Sequence, residues 1–168
     1  MITPEYCVTM ASYNAWQNNL LCGAVDELSA EELKADRGAF FGSIWATLNH
    51  LIWVDHLWIS RFDGGSAPIG GIKEGLNYAT DAADWRIKRR DMDARISDWA
   101  NQVTLAGLTG DLVTQSKIMG RDITKSKALC VTHFFNHQTH HRGQIHAMMT
   151  QTGQDGAPSD LFFMAELS

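Results

Sequence analysis

The sequence predicts an all-α fold in which four long helices form a bundle with one irregular crossover. Four long segments carry apolar residues at helical spacing, and the chain has only 3 prolines in 168 residues. Few prolines favour long helices, because proline disrupts a helix interior. Hydrophobic residues make up 45% of the chain and charged residues 20%, which is ordinary for a globular domain. We therefore assign residues 1–168 to a single domain.

The first half of the chain contains two long predicted helices and one short one. The first covers residues 4–28, where Thr3 is a suitable cap and Pro4 occupies the first turn. Ser29 and Glu32 have the spacing of a capping box, which predicts a short second helix. The second long helix covers 43–62 and is apolar nearly all round, which indicates burial on two sides.

The middle of the chain is predicted to pass from loop to helix to a short excursion. Residues 69–79 have the composition of a loop. Residues 81–103 form the third long helix, whose mixed run of Arg and Asp indicates a solvated face. Residues 106–122 are predicted to form a small hairpin or irregular excursion.

The last long helix is predicted over 125–152, and Gly153 is suited to cap its end. The tail over 154–168 follows it. We expect the apolar side chains of this tail to pack against the body of the protein; they are Leu161, Phe162, Phe163 and Met164.

Charge and composition exclude several classes of function. A net charge of -5 disfavours a nucleic-acid-binding protein, which normally has a basic excess. No apolar run reaches the length of about 18 residues that a membrane span needs, and the N-terminus has no secretory signal pattern. The three cysteines, Cys7, Cys22 and Cys130, are widely spaced and suit a reducing compartment. We expect a cytoplasmic protein.

Histidines cluster in the last predicted helix, which holds 5 of the 7 in the chain. His137 and His141 are four residues apart and share a helical face, so their imidazoles can reach one divalent ion about 2 Å from each nitrogen. His133 lies one turn further back on the same stripe. His140 and His146 are rotated by about 100° and 140° from His141, so we expect both to point elsewhere.

A third ligand is expected from the second long helix, where His50 and His56 are candidates. They are about 240° apart around the helix, so at most one can face the site. By itself, His50 also fits a hydrogen-bonded core residue, and the His137–His141 pair fits a half-exposed polar face. Asp55 fits either a carboxylate that orients a metal ligand or a buried hydrogen bond to another helix, for example to Asn14.

Two segments carry a recognisable pattern: GAFFGSIWATLNHLIWVDHLW at residues 38–58 and FNHQTHHRGQIHAMMTQTG at residues 135–153. Residues 13–16 and 159–161 add to it. Over nearly the whole chain the sequence resembles the DinB family (DinB/YfiT-like metalloenzymes). The HHRGQ run with an upstream Asn-His pair is much more specific than two histidines four residues apart.

The resemblance implies a four-helix bundle with long crossover connections, commonly a homodimer. It also implies a divalent metal ion held by His50, His137 and His141. Three imidazoles suit zinc, nickel, copper or iron, and we expect zinc or nickel. Relatives in the wider superfamily are transferases and isomerases that use a low-molecular-weight thiol, so the resemblance favours a thiol-dependent S-transferase acting on a small-molecule substrate.

Three histidines leave a tetrahedral ion with one open position, as in catalytic zinc sites. The open position suits a bound thiol or a water for hydrolysis, so a metal-dependent hydrolase is an alternative. A non-enzymatic metal-binding stress-response protein is another. We expect Gln144 to contact bound water or substrate and His133 to shuttle protons or only to hydrogen-bond. Arg142 is expected to bind an anionic group of the cofactor or to pair with an acid such as Asp160.

The second long helix also suggests how copies of the chain associate. It carries Trp45, Trp53 and Trp58 on more than one face, and one core can cover only part of that surface. A large exposed apolar patch usually marks an interface. We therefore expect a symmetric homodimer that involves this helix.

Overall fold

The computed structural model describes residues 2–116, 119–154 and 158–164. The described part is mostly helical, with one small two-stranded sheet. In chain order the elements are α1 (Pro4–Asp26), α2 (Ala30–Lys34), α3 (Ile44–Asp63), α4 (Ile72–Gly75), α5 (Ala82–Gln102), β1 (Asp111–Ser116), β2 (Arg121–Ser126), α6 (Lys127–Thr150) and a 3-10 turn (Leu161–Phe163).

The four long helices share one apolar core. Helix α1 packs on α5, α5 on α3, α3 on α6, and α6 on α1, so the contacts close into a ring around that core. All four helices were predicted, and each begins and ends within two residues of its predicted bounds. Fully buried residues at the centre of the core include Ile52, Trp85, Ile96, Phe134 and Phe135.

Side-chain caps explain where the helices begin. The Thr3 hydroxyl accepts a hydrogen bond from the Tyr6 backbone N–H at 3.3 Å, and Pro4 follows it in the first turn. At α2, the predicted capping box is present: the Glu32 N–H donates to the Ser29 hydroxyl, and the Ser29 N–H donates to the Glu32 carboxylate. These bonds satisfy backbone donors that the first helical turn leaves unpaired.

The excursion before the last helix is an antiparallel hairpin, so the all-α prediction is incomplete. Strands β1 and β2 pair in a register that places Asp111 opposite Ser126. The hairpin thus extends beyond the predicted limit at residue 122, and α6 begins at Lys127. The boundary lies at Ser126, whose hydroxyl accepts a hydrogen bond from the Leu129 N–H and caps α6.

The sequence predicted a loop over residues 69–79, but this segment contains the short helix α4. The Glu74 carboxylate accepts a hydrogen bond from the Gly71 N–H at 2.8 Å. That bond closes a single helical turn, which is too short to show helical periodicity in the sequence.

The charged run of α5 is only partly solvated. Arg86 pairs with Asp26 of α1 near the surface, as a solvated face predicts. Arg89, however, is buried and its partner Asp93 is partly buried, and for them the prediction was wrong. The Arg89 guanidinium lies 2.6 Å from the Asp55 carboxylate on the facing helix α3. This ion pair compensates for the cost of burying the arginine charge.

The tail contacts α1 through its backbone. The Gln17 side chain donates to the Pro158 carbonyl at 3.1 Å, and the Tyr13 hydroxyl donates to the Ser159 carbonyl. Phe162 remains 86% exposed, and Leu161 and Phe163 are exposed as well. The predicted packing of these side chains was therefore wrong. Met164 is partly buried, and residues 165–168 lie outside the described residues.

The tryptophans of α3 do not form the expected surface patch. Trp45 and Trp53 are buried within the single chain, and Trp58 is partly buried against the core. They are covered by other elements of the same chain, as the Trp53 packing against Gly75 of α4 illustrates. The reason for placing a homodimer interface on this helix therefore fails.

No helix among the described residues has both the length and the hydropathy that a membrane span requires.

Candidate metal centre

Three histidines converge where α3 packs against α6. His50, His137 and His141 each offer one ring nitrogen, and these three atoms lie within 4.8 Å of one another. The Nε2 atoms of His137 and His141 are 3.1 Å apart. Two ligands of a tetrahedral ion with bonds of 2.0–2.1 Å lie about 3.3 Å apart. The arrangement is therefore compatible with a divalent metal ion, and it is the one predicted from the sequence.

Gln144 fixes the orientation of one candidate ligand. The Nδ1–H of His141 donates to the Gln144 side-chain oxygen at 2.7 Å. Because an amide oxygen only accepts, the proton of neutral His141 lies on Nδ1 and the lone pair lies on Nε2. That lone pair points toward His137 and the centre of the cluster. A partner of this kind is typical of metal-binding histidines.

The environment keeps the three imidazoles neutral. Burial, followed by the neighbouring His141, lowers the pKa of His50 to about 4. Burial and the surrounding imidazoles lower the pKa of His137 to about 3. Burial also lowers the pKa of His141, partly opposed by its bond to Gln144. All three rings therefore carry free lone pairs at neutral pH, as metal binding requires.

Two ring nitrogens of the cluster are unpaired within the described part of the chain. The Nδ1 atoms of His50 and His137 are buried and lack a hydrogen-bond partner among the described residues. Buried polar atoms normally have partners, because leaving them unpaired is costly. The unpaired nitrogen of His50 is available to a metal ion. In His137 the nitrogen that faces His141 is Nε2, so its unpaired Nδ1 would carry the ring proton when Nε2 binds an ion.

Phe41 covers the cluster, a contact that was not predicted from the sequence. Its ring centroid lies 4.1 Å from that of His50 and 5.6 Å from that of His141. The ring belongs to the turn before α3, in which Ala39 and Gly42 form an isolated bridge. His50 and His141 are only 5% and 6% exposed, so Phe41 excludes water from this side.

The other histidines lie outside the cluster, as predicted. His56 hydrogen-bonds to the Tyr78 hydroxyl at 2.6 Å and the Ser66 carbonyl at 2.8 Å, so of the two α3 candidates only His50 faces the site. His140 is exposed beside His141, and His146 lines a cavity on another face of α6.

His133 lies at the edge of the cluster. Its ring centroid is 5.8 Å from that of His137 and 5.2 Å from that of Trp58. The residue is exposed, and partial burial of the ring lowers its pKa. Its position next to a candidate ligand and in contact with solvent is compatible with proton transfer.

Asp55 forms the predicted buried hydrogen bond to another helix, but not with Asn14. Its carboxylate accepts hydrogen bonds from Arg89 at 2.6 Å and from the Gln138 amide at 3.0 Å. It contacts no histidine of the cluster, so it does not orient a ligand, and Asn14 is not its partner. The buried hydrogen bond to another helix is present, but its donors come from α5 and α6.

Arg142 points away from the histidines. Its guanidinium donates to the Asn14 side chain and lies 5.3 Å from the centroid of the Tyr13 ring, both on α1. It forms no ion pair with Asp160, which is exposed. The structure therefore brings Gln144 and His133 close to the three histidines, but not Arg142.

Helical architecture and this cluster define a class of protein: a helical protein with a candidate three-histidine metal site. The sequence profile of the DinB family matches residues 1–167. The chain therefore belongs to the DinB family, as the resemblance indicated.

A curated relative supports the assignment. The chain is similar to the protein named Protein DinB of Bacillus subtilis (strain 168), with 29% identity over 161 residues. The match covers 93% of this chain and 91% of that protein. No solved structure matches the chain significantly.

Proposed function

We propose that this protein is a metal-dependent enzyme of the thiol-dependent S-transferase type. The observation that carries the proposal is the convergence of three neutral histidines from two helices. A divalent ion such as zinc or nickel would be held by these three histidines and would keep a position for a reactant. Such an ion supplies a positive centre that favours the thiolate form of a low-molecular-weight thiol.

The residues around the site have separate roles in this proposal. His50, His137 and His141 hold the ion, and Gln144 keeps the His141 lone pair directed at it. His133 takes the thiol proton, because it lies beside His137 and contacts solvent. Phe41 excludes water and gives the small-molecule substrate an apolar surface.

A metal analysis and an activity screen test the proposal together. Protein purified without an affinity tag is expected to contain about one zinc or nickel ion per chain. It is then assayed with low-molecular-weight thiols and electrophilic substrates. His50→Ala is expected to lose metal and activity, whereas His56→Ala, on the same helix but outside the cluster, keeps both. Equal metal content in the two variants would contradict the site.

A second candidate function is supported by the burial of the site. Phe41 packs on His50, and two of the three histidines are almost inaccessible. An enclosed ion that only stabilises the fold, as in a non-enzymatic metal-binding protein, would have such surroundings. Removal of the metal separates the two candidates, since a structural ion is required for folding and a catalytic ion is not.

The remaining parts of the proposal follow from the family. We interpret the ring of four long helices as the four-helix bundle with crossover connections that the family implies. We also propose a homodimer, tested by sedimentation, and a cytoplasmic location, which the three free cysteines support.

A further inference from the structure

A cavity lies between α1 and α6, on a different face of α6 from the three histidines. Its volume is about 210 Å³. The segment at Ser159 forms one wall and is held there by the hydrogen bond from Tyr13. The apolar part of its lining comes mainly from Leu20, Leu21, Ala24 and Met149.

A buried cation lines this cavity. Arg142 is only 5% exposed, and its pKa is lowered chiefly by burial. No carboxylate among the described residues forms an ion pair with it. The nearest acid in its hydrogen-bond network is Asp93, which is separated from Arg142 by Asn14 and is bound directly to Arg89 at 2.8 Å.

The guanidinium of Arg142 has more donors than the described residues engage. Arginine carries five N–H donors; within the described part of the chain Arg142 donates a hydrogen bond to Asn14 and lies over the Tyr13 ring. A buried charge without a direct counter-charge is costly. A planar anion in the cavity would remove that cost through two parallel N–H···O bonds.

A glycine gives an independent indication that the cavity is kept open. Gly143 lies in the interior of α6 and lines the cavity, and a Cβ placed on it would meet nothing within 4 Å. Neither close packing nor a positive φ requires glycine here. Glycine in a helix interior is destabilising relative to alanine. Gly143 is exposed, so its missing side chain leaves this part of the cavity lining open.

We propose that this cavity binds a small monocarboxylate with a compact apolar body, held by Arg142. The apolar walls accept the body of the ligand, and the guanidinium binds its carboxylate. An apolar cavity of about 150 Å³ holds benzene, so 210 Å³ suits a molecule of the size of benzoate. His146, which is half-buried on the same wall, is a second hydrogen-bond donor for the anion.

Calorimetry with benzoate tests this site, with benzamide as the uncharged probe of the same shape. Benzoate can form an ion pair with two parallel hydrogen bonds to the guanidinium, whereas the single oxygen of neutral benzamide cannot. Benzamide is therefore expected to bind about tenfold more weakly than benzoate. Equal binding of the two probes would overturn the role of Arg142.

Two leucine substitutions locate the binding. Gly143→Leu fills the cavity without meeting another atom at its Cβ, so it should fold and lose benzoate binding. Gly23→Leu adds the same side chain to α1 at another position with open space and outside the cavity lining. This control should bind like the wild type. Benzoate binding that survives in Gly143→Leu would place the ligand elsewhere and overturn the proposal.

Chelation distinguishes this cavity from the metal centre, because a carboxylate can also bind a metal ion. Chelator-treated protein should bind benzoate as well as untreated protein does. Binding that disappears with the metal would assign benzoate to the histidines and overturn the proposed cavity. Because the cavity proposal does not rest on the proposed enzyme activity, benzoate binding without thiol transfer would leave it intact.

Discussion

The Nδ1 atom of His141 lies 2.7 Å from the side-chain oxygen of Gln144, one turn further along the same helix. This bond determines which nitrogen of His141 faces His137. The sequence placed Gln144 on the same helix face as the candidate ligands, and a contact with bound water or substrate was predicted for it. The structure gives it a contact with a candidate ligand, and that contact leads to the first prediction.

Gln144→Ala should weaken metal binding by about 10–100-fold, the usual effect of losing a partner that orients a ligand. Gln144→Glu should retain affinity, since a carboxylate also accepts from Nδ1–H. Competition with a chromophoric chelator measures both. Gln151→Ala, at the exposed end of the same helix, is the control. Wild-type affinity in Gln144→Ala would show that the hydrogen bond does not support metal binding.

Removing the metal should leave the fold almost intact. The core contains large buried side chains from all four long helices, and a chain of 168 residues buries enough surface to fold without a metal. Chelation and His141→Ala should both abolish the proposed activity while helical circular dichroism changes little. A cooperative loss of helix at room temperature on chelation would instead identify a structural ion.

Metal-free protein should lose stability as the pH falls below about 6.5. The folded pKa values of His50 and His137 are about 4 and 3, whereas an unfolded histidine titrates near 6.5. Between these values the unfolded chain binds more protons, so the free energy of unfolding decreases toward low pH. Each histidine contributes at most about 1.4 kcal/mol per pH unit, reduced by solvent screening.

Urea unfolding of chelated protein at pH 7 and pH 5 measures this effect. His137→Gln should show a smaller decrease than the wild type, since one of the histidines with a lowered pKa is gone. His146→Gln, outside the cluster, should show the wild-type decrease. An equal decrease in His137→Gln and the wild type would mean that His137 does not contribute.

Asp55→Ala should be strongly destabilising. Asp55 and Arg89 are both buried and 2.6 Å apart, and removing one member of such a pair costs about 3–5 kcal/mol. Asp63→Ala breaks the partly exposed pair with Arg95 at 2.7 Å, for which about 0–1 kcal/mol is expected. Chemical denaturation of both variants gives the comparison. Similar losses in the two would contradict the role assigned to the buried pair.

The sequence predicted those features that depend on local periodicity. Helical spacing located the four long helices, and the four-residue separation of His137 and His141 placed them on one face. The choice of His50 over His56 as a metal ligand needed the family resemblance. Their angular spacing shows only that both cannot face the site at once. The short helix α4 was missed, since one turn carries no periodic signal.

Contacts between distant segments were the part that the sequence could not provide. Asp55, Arg89 and Gln138 lie on three helices, and nothing in their spacing indicates that they meet. The same holds for Phe41, which reaches His50 from a turn whose register depends on the folded chain. The alternation of Arg and Asp in α5 predicted a solvent-exposed face. Arg89 is nevertheless buried, because Asp55 on the facing helix pairs with it.

Phe41 and Phe40 provide the last prediction, because they are adjacent but differ in environment. Phe41 covers His50, whereas Phe40 is 83% exposed. Phe41→Ala should let water and chelator reach the histidines, so metal should transfer to a chelator several-fold faster than in the wild type.

Phe40→Ala is the matched control and should release metal at the wild-type rate. Because Phe41 is only partly buried, its truncation should cost less than the 3–5 kcal/mol typical of a core phenylalanine. The released metal is followed by stopped-flow absorbance with a chromophoric chelator, and folding by circular dichroism. A catalytic ion predicts faster exchange together with an altered KM for the substrate, since the reactant must pass the same ring. If both variants exchange metal at the wild-type rate, Phe41 does not control access and the open position faces the His133 side.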